Sequence, residues 1–153
     1  MIEVQNLRKS FDNTEVLKGI STTFETGKVN LVIGQSGSGK TVFLKSLLNV
    51  YEPSEGHILF DGRDIVGMGR KEKEQLRSEI GTVFQGSALF DSMTVKDNIM
   101  FPLDMFTNLT FREKKKRVFD VIGRVHLDKA NRKFPSEISG GMQKRVAIAR
   151  AKI

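Results

Sequence analysis

The spacing of apolar and polar residues changes period along this chain, and each change predicts an element. Ile2 to Leu7 alternates apolar and polar, as a half-buried strand does. Val16 to Phe24 predicts a second strand, with Phe11-Asp12-Asn13 as the turn between them. Val29, Leu31, Val32 and Ile33 form a short apolar run of the kind a buried strand uses. Thr41 to Leu48 then reads as a helix with Phe43, Leu44, Leu47 and Leu48 on one side. After a turn at Pro53-Ser54-Glu55-Gly56, His57 to Phe60 predicts a strand closed by Asp61-Gly62. His57 is expected to face solvent on that strand, with no fellow metal ligand nearby. Lys71 to Ile80 predicts a charged surface helix, and Gly81 to Phe84 a short apolar strand ending at Gln85.

The second half is helical in pattern. Thr94 to Asp97 fits the helix-start signal [ST]-x-x-[DE], and Thr110 with Glu113 repeats it. The helix after Thr110 carries Val118, Val121, Ile122 and Val125 on one side and a basic run on the other. Phe134-Pro135-Ser136 breaks the chain; Gln143 to Ala151 then follows as a strong helix, with Ser139 suited to cap it. Between Gln85 and Phe101 the chain crowds Leu89, Phe90, Met93, Val95, Ile99, Met100 and Phe101 into a loop and a helix start. These side chains either pack inward or form an adaptable contact patch for a partner.

The chemistry concentrates at Gly34 to Thr41, GQSGSGKT, which fits G-x-x-x-x-G-K-[ST] at every fixed position. An apolar run precedes it and a helix follows, the context this loop needs. Gly34, Gly37 and Gly39 allow turns closed to other residues and a close backbone approach to phosphate. The N–H groups of Ser36, Gly37, Ser38, Gly39, Lys40 and Thr41 can then converge on an anion at a helix start. Lys40 adds a charge for the outer phosphates, and the Thr41 hydroxyl is placed to ligate magnesium. Ser139, Gly140 and Gly141 offer a second helix start with free N–H groups; a plain capped helix start is the competing reading. Phe11 is either core or a ring for stacking on a purine.

The net charge of +7 adds a basic surface, much of it in Lys114, Lys115, Lys116, Arg117, Lys144 and Arg145. No aromatics interleave with these cations as base stacking would require, so nucleic acid is not the expected partner. There is no cysteine, hence neither a disulfide framework nor a thiolate metal site. The first ten residues lack the apolar stretch of a signal peptide, and no run approaches the ~18 residues of a membrane helix. The 153 residues suffice for one domain with its own core.

Taken together, Phe11, GQSGSGKT, Gln85 and the run Ser139-Gly140-Gly141-Met142-Gln143-Lys144-Arg145 resemble an ATP-binding-cassette ATPase along the whole chain. The resemblance implies a P-loop NTPase core with a mostly parallel sheet, an antiparallel β subdomain and an α-helical signature subdomain. It divides the single domain into an antiparallel region over 1–30, the phosphate-loop core over 31–85 and the helical part over 86–145. It makes Phe11 the adenine-stacking aromatic with Val16 beside it. Gln85 becomes the glutamine that senses magnesium near the γ-phosphate, and Ser139 to Gly141 the signature that contacts ATP bound to a second subunit. ATP and Mg²⁺ are the implied cofactors. A homodimer and a membrane permease, docked near Leu89, Phe90, Met93 and Phe101, are the implied partners. The implied location is cytoplasmic, peripheral on the inner face of the membrane. Met142 stands where the family usually has glutamine. Together with residues 84–90 and 98–103, it resembles the ATPases of Mla-type phospholipid trafficking.

The chain stops at Ile153, before the family's next strand, which carries a magnesium-binding aspartate and a catalytic glutamate. Two expectations follow: very slow hydrolysis, and a central ladder left open beside the phosphate-loop strand. Three readings stand: a transporter ATPase subunit, a soluble cassette ATPase outside transport, and a nucleotide-binding module without turnover.

Overall fold

The computed structural model describes all residues, 1–153, and the chain divides into two compact units, Met1–Arg77 and Ser78–Ile153. In the first unit, strands β1 (Ile2–Phe11) and β2 (Thr14–Phe24) form the expected hairpin. They join β3 (Glu55–Phe60) and β4 (Arg63–Asp64) in one antiparallel sheet of order β2-β1-β3-β4. The hairpin register runs from Ile2 opposite Phe24 to Phe11 opposite Thr14. Val4, Leu7, Leu17 and Ile58 are buried. Helix α1 (Lys40–Leu47) adds Phe43 and Leu47 to the buried set, but Leu44, expected beside them, is 48% exposed. Eight residues make barely two turns, so the buried stripe is narrow, and Ser46 takes the remaining inward position. Helix α2 (Arg70–Glu79) is charged and buries only Leu76.

Two expected strands form no ladder. Residues 28–35 pair with no strand, and Val29, Leu31 and Ile33 are 100%, 82% and 80% exposed. Residues 80–84 are likewise unpaired, with Val83 and Phe84 about half exposed. A strand is defined by its neighbour's hydrogen bonds, and no segment of this chain supplies them. The parallel pairing expected from the resemblance is therefore not formed, and all strand pairing observed is antiparallel. His57 faces solvent on β3 as expected, and its Nδ1 lies 2.6 Å from the Asp64 carboxylate across the β3–β4 hairpin.

The second unit packs α3 (Val95–Phe106), α4 (Phe111–Arg124) and α5 (Gly140–Lys152) around one apolar core. Val95, Ile99, Val118, Ile122 and Val146 are its most buried members. The starts of α3 and α4 follow the sequence signals: Thr94 accepts from the Asp97 N–H, and Thr110 with Glu113 forms a complete capping box. No helix is long and apolar enough to cross a membrane.

Candidate functional site

The loop 34–39 leads into α1. Gly37 and Gly39 have φ of +80° and +90°, where a side chain strains the backbone. A Cβ at Gly37 would meet nothing within 4 Å, so the loop is open on that side. A Cβ at Gly39 would lie 3.2 Å from side-chain carbons of both Val16 and Leu17. Gly39 thus lets the loop lie against β2 at Val16 and Leu17.

Gly39 caps α1 through its backbone alone; no side chain caps the helix, and its first turn holds no acid. Lys40 Nζ folds back and donates to the Gly34 and Gln35 carbonyls at 2.8 and 2.6 Å. Ser38 N–H closes the loop on the Gln35 carbonyl at 3.2 Å. Ser36 and Thr41 are exposed. A cavity of about 500 Å³ lies between this loop and β2, lined by Thr14, Glu15, Val16, Lys18, Ile20, Gly37 and Ser38. The lining is mixed: Val16 and Ile20 are apolar, and Glu15 and Lys18 carry opposite charges.

Phe11 lies at the hairpin end, 38% exposed. Its ring meets Tyr51 edge-on at 5.3 Å, and Lys9 sits 5.1 Å from its centre. Tyr51 was not singled out from the sequence, although it is the chain's single tyrosine. Phe11 is half-packed rather than core, with one face of the ring held by a neighbour.

The remaining candidates belong to the second unit. Ser139 caps α5, its Oγ accepting from the Met142 N–H at 3.3 Å, and Gly140 and Gly141 are exposed with open space where a Cβ would be. Met142 packs on the apolar core, so the exchange from glutamine gains a core contact. Gln85 is exposed and precedes Gly86, Ser87 and Ala88, all with positive φ. Arg150 donates to the Ser87 carbonyl at 3.1 Å and stands 5.6 Å over the Phe90 ring.

Of the crowded stretch before Phe101, Val95, Ile99 and Met100 are core. Leu89, Met93 and Phe101 are half-buried and Phe90 is 39% exposed, its ring 4.7 Å from Phe101. The expected patch therefore shrinks to Phe90 and its neighbours. Asn98, fully buried, organises them: its amide accepts from the Phe90 N–H and donates to the Phe90, Met93 and Thr94 carbonyls. One polar residue inside an apolar run was the signal available in the sequence.

The five helix starts differ in a way that matters for anions. Helices α2, α3 and α4 each hold a carboxylate in the first turn, from Glu72, Asp97 and Glu113. Helices α1 and α5 hold none. Their positive dipole ends are left for a group from outside. A phosphate-binding loop on an antiparallel hairpin, with a serine-capped double-glycine helix in the second unit, is the arrangement of a nucleotide-binding cassette.

Comparison places the chain within that class. Residues 17–153 match the ABC transporter family, and the chain belongs to it. It is 42% identical over 150 residues to the probable ribonucleotide transport ATP-binding protein mkl of Mycobacterium bovis, covering 98% of this chain and 42% of that protein. It superposes on a dimeric post-hydrolysis ATP-binding cassette, MJ0796, bound to ADP and Pi, with a TM-score of 0.87 and 28% identity; 99% of this chain and 68% of that one are covered. It also superposes on cbiO1 from Clostridium perfringens, part of the ABC transporter complex cbiONQ, with a TM-score of 0.88 and 32% identity; the shares are 98% and 60%. The chain thus has the cassette fold, and it spans less than half the length of the curated relative it matches.

Proposed function

We propose that this chain forms the nucleotide-binding part of an ATP-driven transporter subunit. The observation that carries the proposal is the Lys40 ammonium resting on the two loop carbonyls beside a helix start with neither side-chain cap nor acid. The residues fit MgATP: an open glycine at 37, a free helix start, a cation at its mouth and a cavity against β2 that includes Val16 and Ile20. Bound magnesium would neutralise charge shared between the outer phosphates.

The chain's own residues then divide the work. The N–H groups of Ser36 to Thr41 orient the phosphates, and Lys40 turns from the carbonyls to the outermost oxygens. The Thr41 hydroxyl offers a metal ligand. Phe11 and Val16 give the adenine ring an apolar seat. Gln85 is proposed as the second magnesium ligand, and Ser139, Gly140 and Gly141 as the surface offered to nucleotide on a second cassette. The dimeric state of MJ0796 supports that last assignment, and the membership of cbiO1 in a transporter complex supports a permease partner near Phe90 at the inner membrane face. Phospholipid as the transported class rests on Met142 and residues 84–90 and 98–103, whereas the mkl relative is named for ribonucleotide transport. Transfer of labelled phospholipid between vesicles by the assembled transporter would support the lipid reading, and transport of ribonucleotide alone would replace it.

The nucleotide reading is tested by titrating the chain with a fluorescent ATP analogue and magnesium. Saturable binding, displaced by ATP and lost in Lys40→Ala, is expected. Undiminished affinity in that variant would overturn the assignment.

A further inference from the structure

The corner between α3 and α4 has a composition that the nucleotide reading does not use. Helix α3 ends with Met105 and Phe106, 60% and 58% exposed, and α4 begins with Phe111, 67% exposed. About two turns further along α4, Phe119 is 38% exposed, with Lys115 over its ring at 6.0 Å. Apolar side chains this large cost free energy in water unless something covers them.

The corner is firmly built. Thr107 donates its hydroxyl to the Leu103 carbonyl at 2.6 Å, Leu109 packs on the core, and Thr110 and Glu113 cap each other. The exposed rings are therefore held outward by a fixed turn.

The charge around them is one-sided. Arg112, Lys115 and Lys116 make no ion pair within the chain. The acids nearby are engaged: Asp104 pairs with Lys114 at 2.9 Å, and Glu113 is bound to Thr110 and sits in the field of Arg117. Glu113 and Asp120 are the two negative charges on α4, against six cations. The unit from Ser78 to Ile153 holds 14 Lys and Arg against 8 Asp and Glu, counted from the sequence, so +6 of the chain's +7 lies there.

We infer that the α3–α4 corner seats on an anionic lipid surface, with Phe106 and Phe111 entering the headgroup region and Arg112, Lys115 and Lys116 meeting the lipid phosphates. Aromatic tips flanked by free cations are the chemistry of an interfacial contact. A purely proteinaceous apolar partner would leave three cations without counter-charges. The contact is independent of the nucleotide loop, which lies in the other unit.

The test is sedimentation of the full chain with vesicles of 30% phosphatidylglycerol in phosphatidylcholine, against pure phosphatidylcholine, at low and high salt. Binding to the anionic vesicles alone, weakened by salt, is expected. Each cation near such a surface raises partition about fivefold, so the triple variant Arg112→Gln, Lys115→Gln, Lys116→Gln should lose about a hundredfold. The exposed double variant Phe106→Ser, Phe111→Ser should lose about tenfold or more with an unchanged circular dichroism spectrum. Lys28→Gln, Lys71→Gln, Lys129→Gln removes the same charge elsewhere and should retain most of the binding. Lys40→Ala should bind vesicles as the parent does, whatever becomes of its ATP affinity. The inference is overturned by no binding to anionic vesicles, by equal loss in both charge triples, or by full binding without the two rings. Concentration-dependent self-association that the ring variant abolishes, with no vesicle binding, would make the corner a protein interface and equally overturn it.

Discussion

The starts of α1 and α5 both carry glycine, both lack a carboxylate, and are built differently. At α1 the cap residue is itself a glycine in the left-handed region, so the preceding loop curls over the helix end and encloses a space. At α5 the cap is Ser139 in extended conformation, so the chain enters straight and the two glycines face outward. On the proposed reading, the first arrangement would surround an anion, and the second would meet one held elsewhere. Glycine count and helix propensity are nearly the same at both. The sign of φ at one cap residue separates a cradle from a contact face.

Substitutions can break this contrast. The largest expected effect is on ligand binding: Lys40→Ala should weaken ATP by about a hundredfold, the worth of a charge-assisted bond, while Lys144→Ala at α5 should leave the isolated chain's affinity unchanged. Equal losses would mean that the two starts act alike. Next comes stability. Gly39→Ala forces a Cβ against Val16 and Leu17 at positive φ and should cost about 2 kcal/mol in urea denaturation. Ser139→Ala should cost about 1 kcal/mol through the lost cap. Gly141→Ala has open space and helical backbone, and should stabilise by about 0.5 kcal/mol. Destabilisation by Gly141→Ala would show that α5 shares the close approach of α1.

The smallest effect is pH dependence, and it should arise at the other helix starts. The Thr110 hydroxyl and backbone N–H, helped by Arg117, hold the Glu113 carboxyl below its usual pKa of 4.5. Burial pushes Asp97 up, but the Thr94 hydroxyl and Lys96 outweigh it, so its net shift is also downward from 3.8. A depressed carboxylate contributes stability above its unfolded pKa and loses it as pH falls through the folded value. Stability from these caps should therefore be constant above about pH 5 and decline in acid. Glu113→Gln should flatten part of that acid limb in a series of thermal melts. An unchanged limb would remove Glu113 as its source.

The local grammar was legible because it is local. The hairpin, the Thr94 and Thr110 caps, the phosphate loop and the Ser139 cap each rest on residues within a few positions of one another. What the sequence did not disclose depends on distant partners. Residues 29–33 have the composition of a buried strand, yet a buried strand needs paired neighbours, and no strand pairs with them. Leu44 belongs to an apolar cluster, but a two-turn helix has room for little more than one stripe. The His57–Asp64 contact and the fourfold bracket of Asn98 join residues across a turn and a loop, which periodicity does not register. Within the candidate site, the residue types were readable; the resting position of Lys40 was not, because it depends on where two carbonyls point.

That resting position sets a threshold for whatever enters the loop. The ammonium already has two good acceptors, so a dilute monovalent anion gains little by displacing them. A polyphosphate offers several oxygens at once and enough charge to draw the side chain away. On the proposed nucleotide reading, selection for charge density would be completed at the doorway, before any base or sugar is met.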